Sequence, residues 1–104
     1  YLLDRLDEYA SPFGGTVLDD GVAVWLNDLG NGPPHGGTNV PWLLAGGCGD
    51  RLASGQFLDL GGVGINRVLN SILTAVGCTH ADGSAIDDFG DPGLPGGVIP
   101  DVLV

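Results

Sequence analysis

Two apolar runs separated by a turn that cannot be helical constrain this chain more than anything else in it. Residues 22–26 read VAVWL, residues 27–39 are rich in Gly, Asn and Pro, and residues 41–45 read PWLLA. Proline and glycine at that density break helices, so the turn joins two strands. The unbroken apolar character of VAVWL predicts a strand covered on both faces, hence a central strand of a parallel sheet. Pro41 fits only at the start of the second strand, because it donates no ladder hydrogen bond. The turn carries Asp28, Asn31, His35 and Asn39, side chains able to bind a metal or an oxyanion where strands end. Ligands of open α/β sheets bind outside the carboxyl ends of strands, which makes this turn the first place to look for a site.

A chain of 104 residues suits one small domain or a piece of a larger one. Such a chain buries about 60–65% of its unfolded surface on folding, enough for a single core. A hydrophobic share of 43% argues against wholesale disorder. Twenty glycines and seven prolines dictate short elements joined by many turns. Thirteen acidic residues stand against three basic ones, a net charge of −10. Nucleic acid and anionic membrane are poor partners on that balance, since both need Lys and Arg to neutralise phosphate. Calcium or a basic protein surface suits the field better, and the same charge also keeps an exported protein soluble. No stretch approaches the run of about 20 apolar residues that crosses a bilayer. The chain opens at Tyr1 inside a helical pattern, with neither an initiator Met nor a signal peptide. That start reads as a processed product or a fragment.

Along the chain, Leu2, Leu3, Leu6 and Tyr9 share one helical face, with Asp4, Arg5, Asp7 and Glu8 opposite. Ser11-Pro12 ends that helix, and residues 16–20 form a short helical turn before the first strand. Residues 46–54 are a glycine-rich loop, and residues 56–60 suit a short strand. The clearest helix covers residues 66–76, with Ile65, Val68, Leu69, Ile72, Leu73 and Val76 recurring at three- and four-residue steps. Asn66 is its expected N-cap, and Gly77 lies just past its end. Packing of that stripe on the sheet is the expected main contact. From His80 onward the chain is acidic and Gly/Pro-rich, a tail expected to wrap the domain on the anchors Phe89, Leu94, Val98, Ile99 and Leu103. No internal repeat and no second domain are visible.

Asp28 and His35 form the first candidate pair. A carboxylate and an imidazole across one turn suit a divalent metal such as zinc, calcium or manganese, with further ligands supplied from elsewhere. The alternative is that Asp28 caps the turn and His35 is a surface residue. The glycines match neither a phosphate loop nor a dinucleotide fingerprint, and Gly61-Gly62-Val63-Gly64 before the helix is only a weak anion signal. Asp82, Asp87, Asp88 and Asp91 suggest a calcium loop without EF-hand spacing, and such acidic runs are usually solvated. Trp25 and Trp42 occupy strand positions and are expected in the core. Ser54 and Ser71 lie in no nucleophile motif, and Ser71 is expected to bond a backbone carbonyl within its helix. Cys48 follows a strand and Cys78 follows a helix. Such a pair forms a disulfide in an exported protein, contributing about 3–4 kcal/mol in the chain-entropy model, or stays as small buried thiols in a cytosolic one. The pair count tips the choice towards the bridge.

The segments VAVWLNDLGNGPPHGGTNVPWLLAGG, GQFLDL, INRVLNSILTAVG and DDFGDP, in that order, resemble the carboxyl-terminal part of a bacterial family of unassigned function. This is the domain-of-unknown-function 1552 family. The resemblance covers nearly the whole chain and implies an exported protein, periplasmic or extracellular, of which these residues are the closing portion. A fainter resemblance runs to the alkaline phosphatase and sulfatase superfamily, where a strand ends in a Ser-Asp-His-Gly-like motif and a later His-Gly follows. WLNDLG stands in the comparable place, so Asp28 matches the Asp, and His35-Gly36 matches the later pair. Leu29 stands where a metal-binding His would be, which removes one ligand.

Together these readings predict an α/β fold. Residues 1–104 would be a single domain, or the closing fragment of a mostly parallel sheet flanked by helices, with long Gly/Pro-rich loops and an irregular tail. The expected partners are the upstream part of a parent chain or other subunits of an envelope assembly. The favoured function is a non-catalytic structural or binding module, and the alternative is the closing part of a metal-dependent phosphatase- or sulfatase-like hydrolase.

Overall fold

Glycine and proline keep every element short. The computed structural model describes residues 1–104, in the order α1 (Leu2–Glu8), α2 (Val17–Asp20), β1 (Ala23–Leu26), β2 (Trp42–Ala45) and α3 (Ile65–Ala75). A 3₁₀ turn at Pro100–Val102 follows near the end of the chain. The single-turn helix α2 is held by a capping box. The Thr16 hydroxyl accepts from the Asp19 amide at 3.3 Å, and the Asp19 carboxylate accepts from the Thr16 amide at 2.7 Å.

The mostly parallel, helix-flanked sheet expected from the apolar runs is not what forms. The only sheet has two strands, β1 and β2, paired antiparallel with Ala23 opposite Ala45 and Leu26 opposite Trp42. The connection explains the correction. Parallel neighbours need a crossover, usually a helix, and a link made of Gly, Asn and Pro cannot supply one. It doubles back instead, through a bridge between Asn31 and Gly36. Three of the four residues of β1 are exposed, so the unbroken apolar run marks a strand with neither face fully covered.

Residues 56–60, expected as a strand, are irregular. Gln56 Nε2 donates to the Asp101 carbonyl at 2.6 Å, and Leu58 and Leu60 lean on the core, so side chains take the place of a ladder.

Helix α3 lies where its periodicity placed it, with Gly64 rather than Asn66 as N-cap and Gly77 in the left-handed region beyond its end. Its buried face is the unexpected one. Asn66, Asn70, Ser71 and Ala75 are buried, whereas Ile65 and Val76 of the apolar stripe are exposed. Val68, Leu69, Ile72 and Leu73 between them are half-buried, Val68 against the core, and the stripe is not seated on the sheet. The polar face binds the tail: Asn66 Nδ2 donates to the Pro95 carbonyl at 2.9 Å, Asn70 Nδ2 to Gly97 at 3.0 Å, and Arg67 Nη2 to Val98 at 2.6 Å. Asn70 Oδ1 accepts from the Phe89 amide at 3.1 Å, and Ser71 Oγ accepts from Ile99 at 2.8 Å while donating to the Arg67 carbonyl at 2.8 Å. A chain segment with no strand or helix of its own needs partners for its backbone, and this face supplies them.

The core is Cys48, Leu52, Ala75, Ile99 and Val102. The chain end closes over it by pairing Leu52 with Leu103, and the Val104 amide donates to the Arg51 carbonyl at 3.1 Å. The expected Cys48–Cys78 disulfide is absent, and both thiols are free. Cys48 is fully buried and directs its thiol at the Gly21 carbonyl, 3.7 Å away, while Cys78 is exposed beyond α3. The two side chains thus serve opposite environments. The molecule measures 43 × 38 × 19 Å, a plate too thin to enclose a second apolar layer.

Candidate functional site

Within the turn between β1 and β2, Gly36 N donates to Asn31 O at 2.9 Å, and Gly30 N donates back to Gly36 O at 3.0 Å. His35 closes the inner loop with its amide on Gly32 O at 3.0 Å and sits in the left-handed region, as does Asn39. Gly30 has no alternative: a Cβ there would lie 1.6 Å from the Thr38 carbonyl oxygen. The turn holds Asp28 and His35 on exposed surface, and no third His, Cys, Asp or Glu joins them in a ligand set. Two donors are too few for a tight metal site. Asn31 and Asn39 are exposed in the same turn.

The set of three ligating side chains lies elsewhere, in the tail. His80, Asp87 and Asp88 hold one ligand atom each within 4.8 Å of one another, and His80 Nε2 stands 3.3 Å from Asp88 Oδ1. A tight turn shapes this loop. The His80 amide donates to the Ser84 carbonyl at 2.9 Å, and Asp82 Oδ1 accepts from the Ser84 hydroxyl at 2.7 Å and the Ser84 amide at 2.9 Å. The Ser84 hydroxyl is the main reason the Asp82 carboxyl is held below the usual range, with the Ser84 amide and His80 adding to it. Asp87 and Asp88 were visible as an acidic run in the sequence. His80 was not, because only the turn brings it to them. All the carboxylates involved are solvated, and such groups commonly gather without an ion.

The sheet itself leaves apolar side chains exposed. Trp25 is 65% exposed, and Val24, Leu26 and Leu43 are exposed beside it on the two-stranded sheet. Trp25 and Trp42 both read as core positions from the sequence. Trp25 is surface, and Trp42 is half-buried with its indole N–H unpartnered. At the base of the sheet, where α2 leads into β1 and β2 ends, lies a cleft of about 450 Å³. Phe13, Asp19, Asp20 and Asp50 are among its lining residues, together with glycines. Phe13 is 88% exposed. Gly47 lines the cleft with no room for a side chain, since a Cβ there would come within 2.6 Å of the Asp19 carbonyl oxygen. An aromatic ring beside three carboxylates, next to an open apolar sheet, is suited to a cationic side chain carried on an apolar backbone.

Comparisons with protein-family models, with curated proteins and with solved structures return no match to this chain. No helix of the protein is long and apolar enough to cross a membrane.

Proposed function

We propose that this chain is a non-catalytic structural or binding module of an exported bacterial protein, periplasmic or extracellular. It completes its fold against other protein, either the upstream part of a parent chain or other subunits of an envelope assembly. One observation carries the reading: the β1–β2 sheet leaves the cross-strand neighbours Trp25 and Leu43 uncovered on one face. Contiguous apolar surface of this kind marks an interaction site, since water penalises it by about 25 cal/mol per Å².

The test is dye capture and turnover on the same preparation. The wild-type chain is expected to bind anilinonaphthalene sulfonate, and a Trp25→Ser/Leu43→Ser variant of unchanged circular dichroism is expected to lose most of that signal. Release of nitrophenol from nitrophenyl phosphate or sulfate in the presence of zinc, manganese or calcium, abolished by His35→Ala, would overturn the non-catalytic reading.

A second reading is favoured by the gathering of Asp28, Asn31, His35 and Asn39 in one turn. In it the chain is the closing part of a metal-dependent hydrolase of phosphate or sulfate esters, with Asp28 and His35 contributing two ligands. Elemental analysis separates the two. Stoichiometric zinc, manganese or calcium that disappears with His35→Ala supports the hydrolase.

A further inference from the structure

We propose that the outer edge of β1 takes up an extended segment of a separate polypeptide, apolar along the strand and carrying Lys or Arg at the end that reaches Asp19, Asp20 and Asp50. This rests on the reading of the chain as a binding module and specifies the chemistry of what it binds.

The edge is open by the arithmetic of antiparallel pairing. Asn27 N donates to Pro41 O, which makes Asn27 and Pro41 a hydrogen-bonded pair in register with the sheet. Such pairs alternate, so Trp25–Leu43 and Ala23–Ala45 are bonded pairs, and Val24 and Leu26 turn their amides and carbonyls outward. No backbone hydrogen bond outside the regular elements uses either residue. A two-stranded sheet is marginal in water, and an added strand satisfies the edge and sets its own side chains beside those of Val24, Trp25 and Leu26. β1 is the strand to extend, because it is exposed at Val24, Trp25 and Leu26, whereas Leu44 of β2 packs on the core.

Charge selects the occupant. The protein's three basic side chains are already engaged within the chain: Arg5 by Glu8 and Tyr9, Arg51 by the Cys48 carbonyl, and Arg67 by the Val98 carbonyl. Asp50 makes no ion pair, and the acidic cleft opens at the base of β1. A second copy would bring a further net charge of −10 to this face, so self-association is opposed. A compact chain of 10.5 kDa exposes about 5,400 Å² by the usual surface–mass scaling, and this one exposes 6920 Å². The excess of about 1,500 Å² belongs to the thin plate as a whole.

The probe is an alternating Val-Thr peptide ending in two lysines, compared with the same peptide ending in two glutamates. On adding the lysine peptide to the wild-type chain, the Val24 and Leu26 amides are expected to gain exchange protection. Those of Trp25 and Asn27, already in the ladder, change little. Val24→Pro, which removes an outward amide that the β1–β2 pair does not use, weakens binding about tenfold. Asp50→Asn, which keeps a residue tolerant of the left-handed backbone while removing the charge, weakens it about threefold. The amide measurement needs no variant and stands even if Val24→Pro fails to fold. Several results sink the proposal: no protection at Val24 and Leu26, equal binding of the glutamate peptide, or a dimer of the chain that protects the same amides. If the peptide fails while the Trp25/Leu43 face still captures dye, the binding-module reading survives and only strand addition is lost.

Discussion

Cys48 shows how a single side chain is set by its surroundings. The residue is fully buried, and burial pushes its thiol up against the opposing pull of the Arg51 guanidinium. The folded state therefore holds the proton more tightly than the unfolded chain. Its contribution to stability is complete below the thiol's ordinary range, about 8.5, and declines as pH rises beyond it. Iodoacetamide applied to the native protein near neutral pH is expected to label Cys78 alone, with Cys48 reacting only after unfolding. Peptide mass mapping reads the result directly, and rapid native labelling of Cys48 contradicts the burial. At this scale the sequence was legible for residues whose role is local. Ser71 does bond a carbonyl four residues back, and Gly77 does take the left-handed position after α3. The Cys48–Cys78 pairing was not legible, because a count of two thiols says nothing about which face each one meets.

At the scale of elements, α3 is the informative case. Its apolar stripe was plain from spacing, and so were its bounds to within a residue. What it would bury was not. The Asn66–Asn70–Ser71 face is buried because the tail, lacking regular structure, offers carbonyls and amides that only side chains can satisfy. Asn70 serves both kinds at once, donating to Gly97 and accepting from Phe89. Asn70→Ala is expected to cost about 2–3 kcal/mol, since it leaves a donor and an acceptor of the tail unpaired in a buried position. The urea midpoint measures that cost, and faster exchange of the Phe89 amide locates it. A cost below about 0.5 kcal/mol with unchanged exchange means the tail is held by something else. The same logic covers the hairpin. Two apolar runs were legible as strands, but whether they pair with each other or with distant strands depends on what else is available to pair.

For the whole molecule, the balance is one of thin burial against strong self-repulsion. The radius of gyration is 14.9 Å, against about 13 Å for a compact domain of this length. Eight residues are buried, and the core side chains are small. A net charge of −10 spread over such a plate opposes the folded state, and mobile ions screen that repulsion beyond about 8–10 Å at physiological ionic strength. Raising sodium chloride from low to moderate concentration is therefore expected to raise the urea midpoint. Insensitivity to salt would show that the charges lie too far apart to matter.

Sequence alone located the helices and the two apolar strands, though not the irregular course of residues 56–60, and it carries the net charge of −10. Each of those follows from local geometry or from total charge, which are properties of the string. Tertiary structure decided the direction of strand pairing, the face α3 buries, the separate fates of the two thiols, and the meeting of His80 with Asp87 and Asp88. Those depend on which surfaces are close enough to compete for the same apolar side chain or the same amide. An apolar run records that a face needs covering; only the assembled chain shows whether anything covers it.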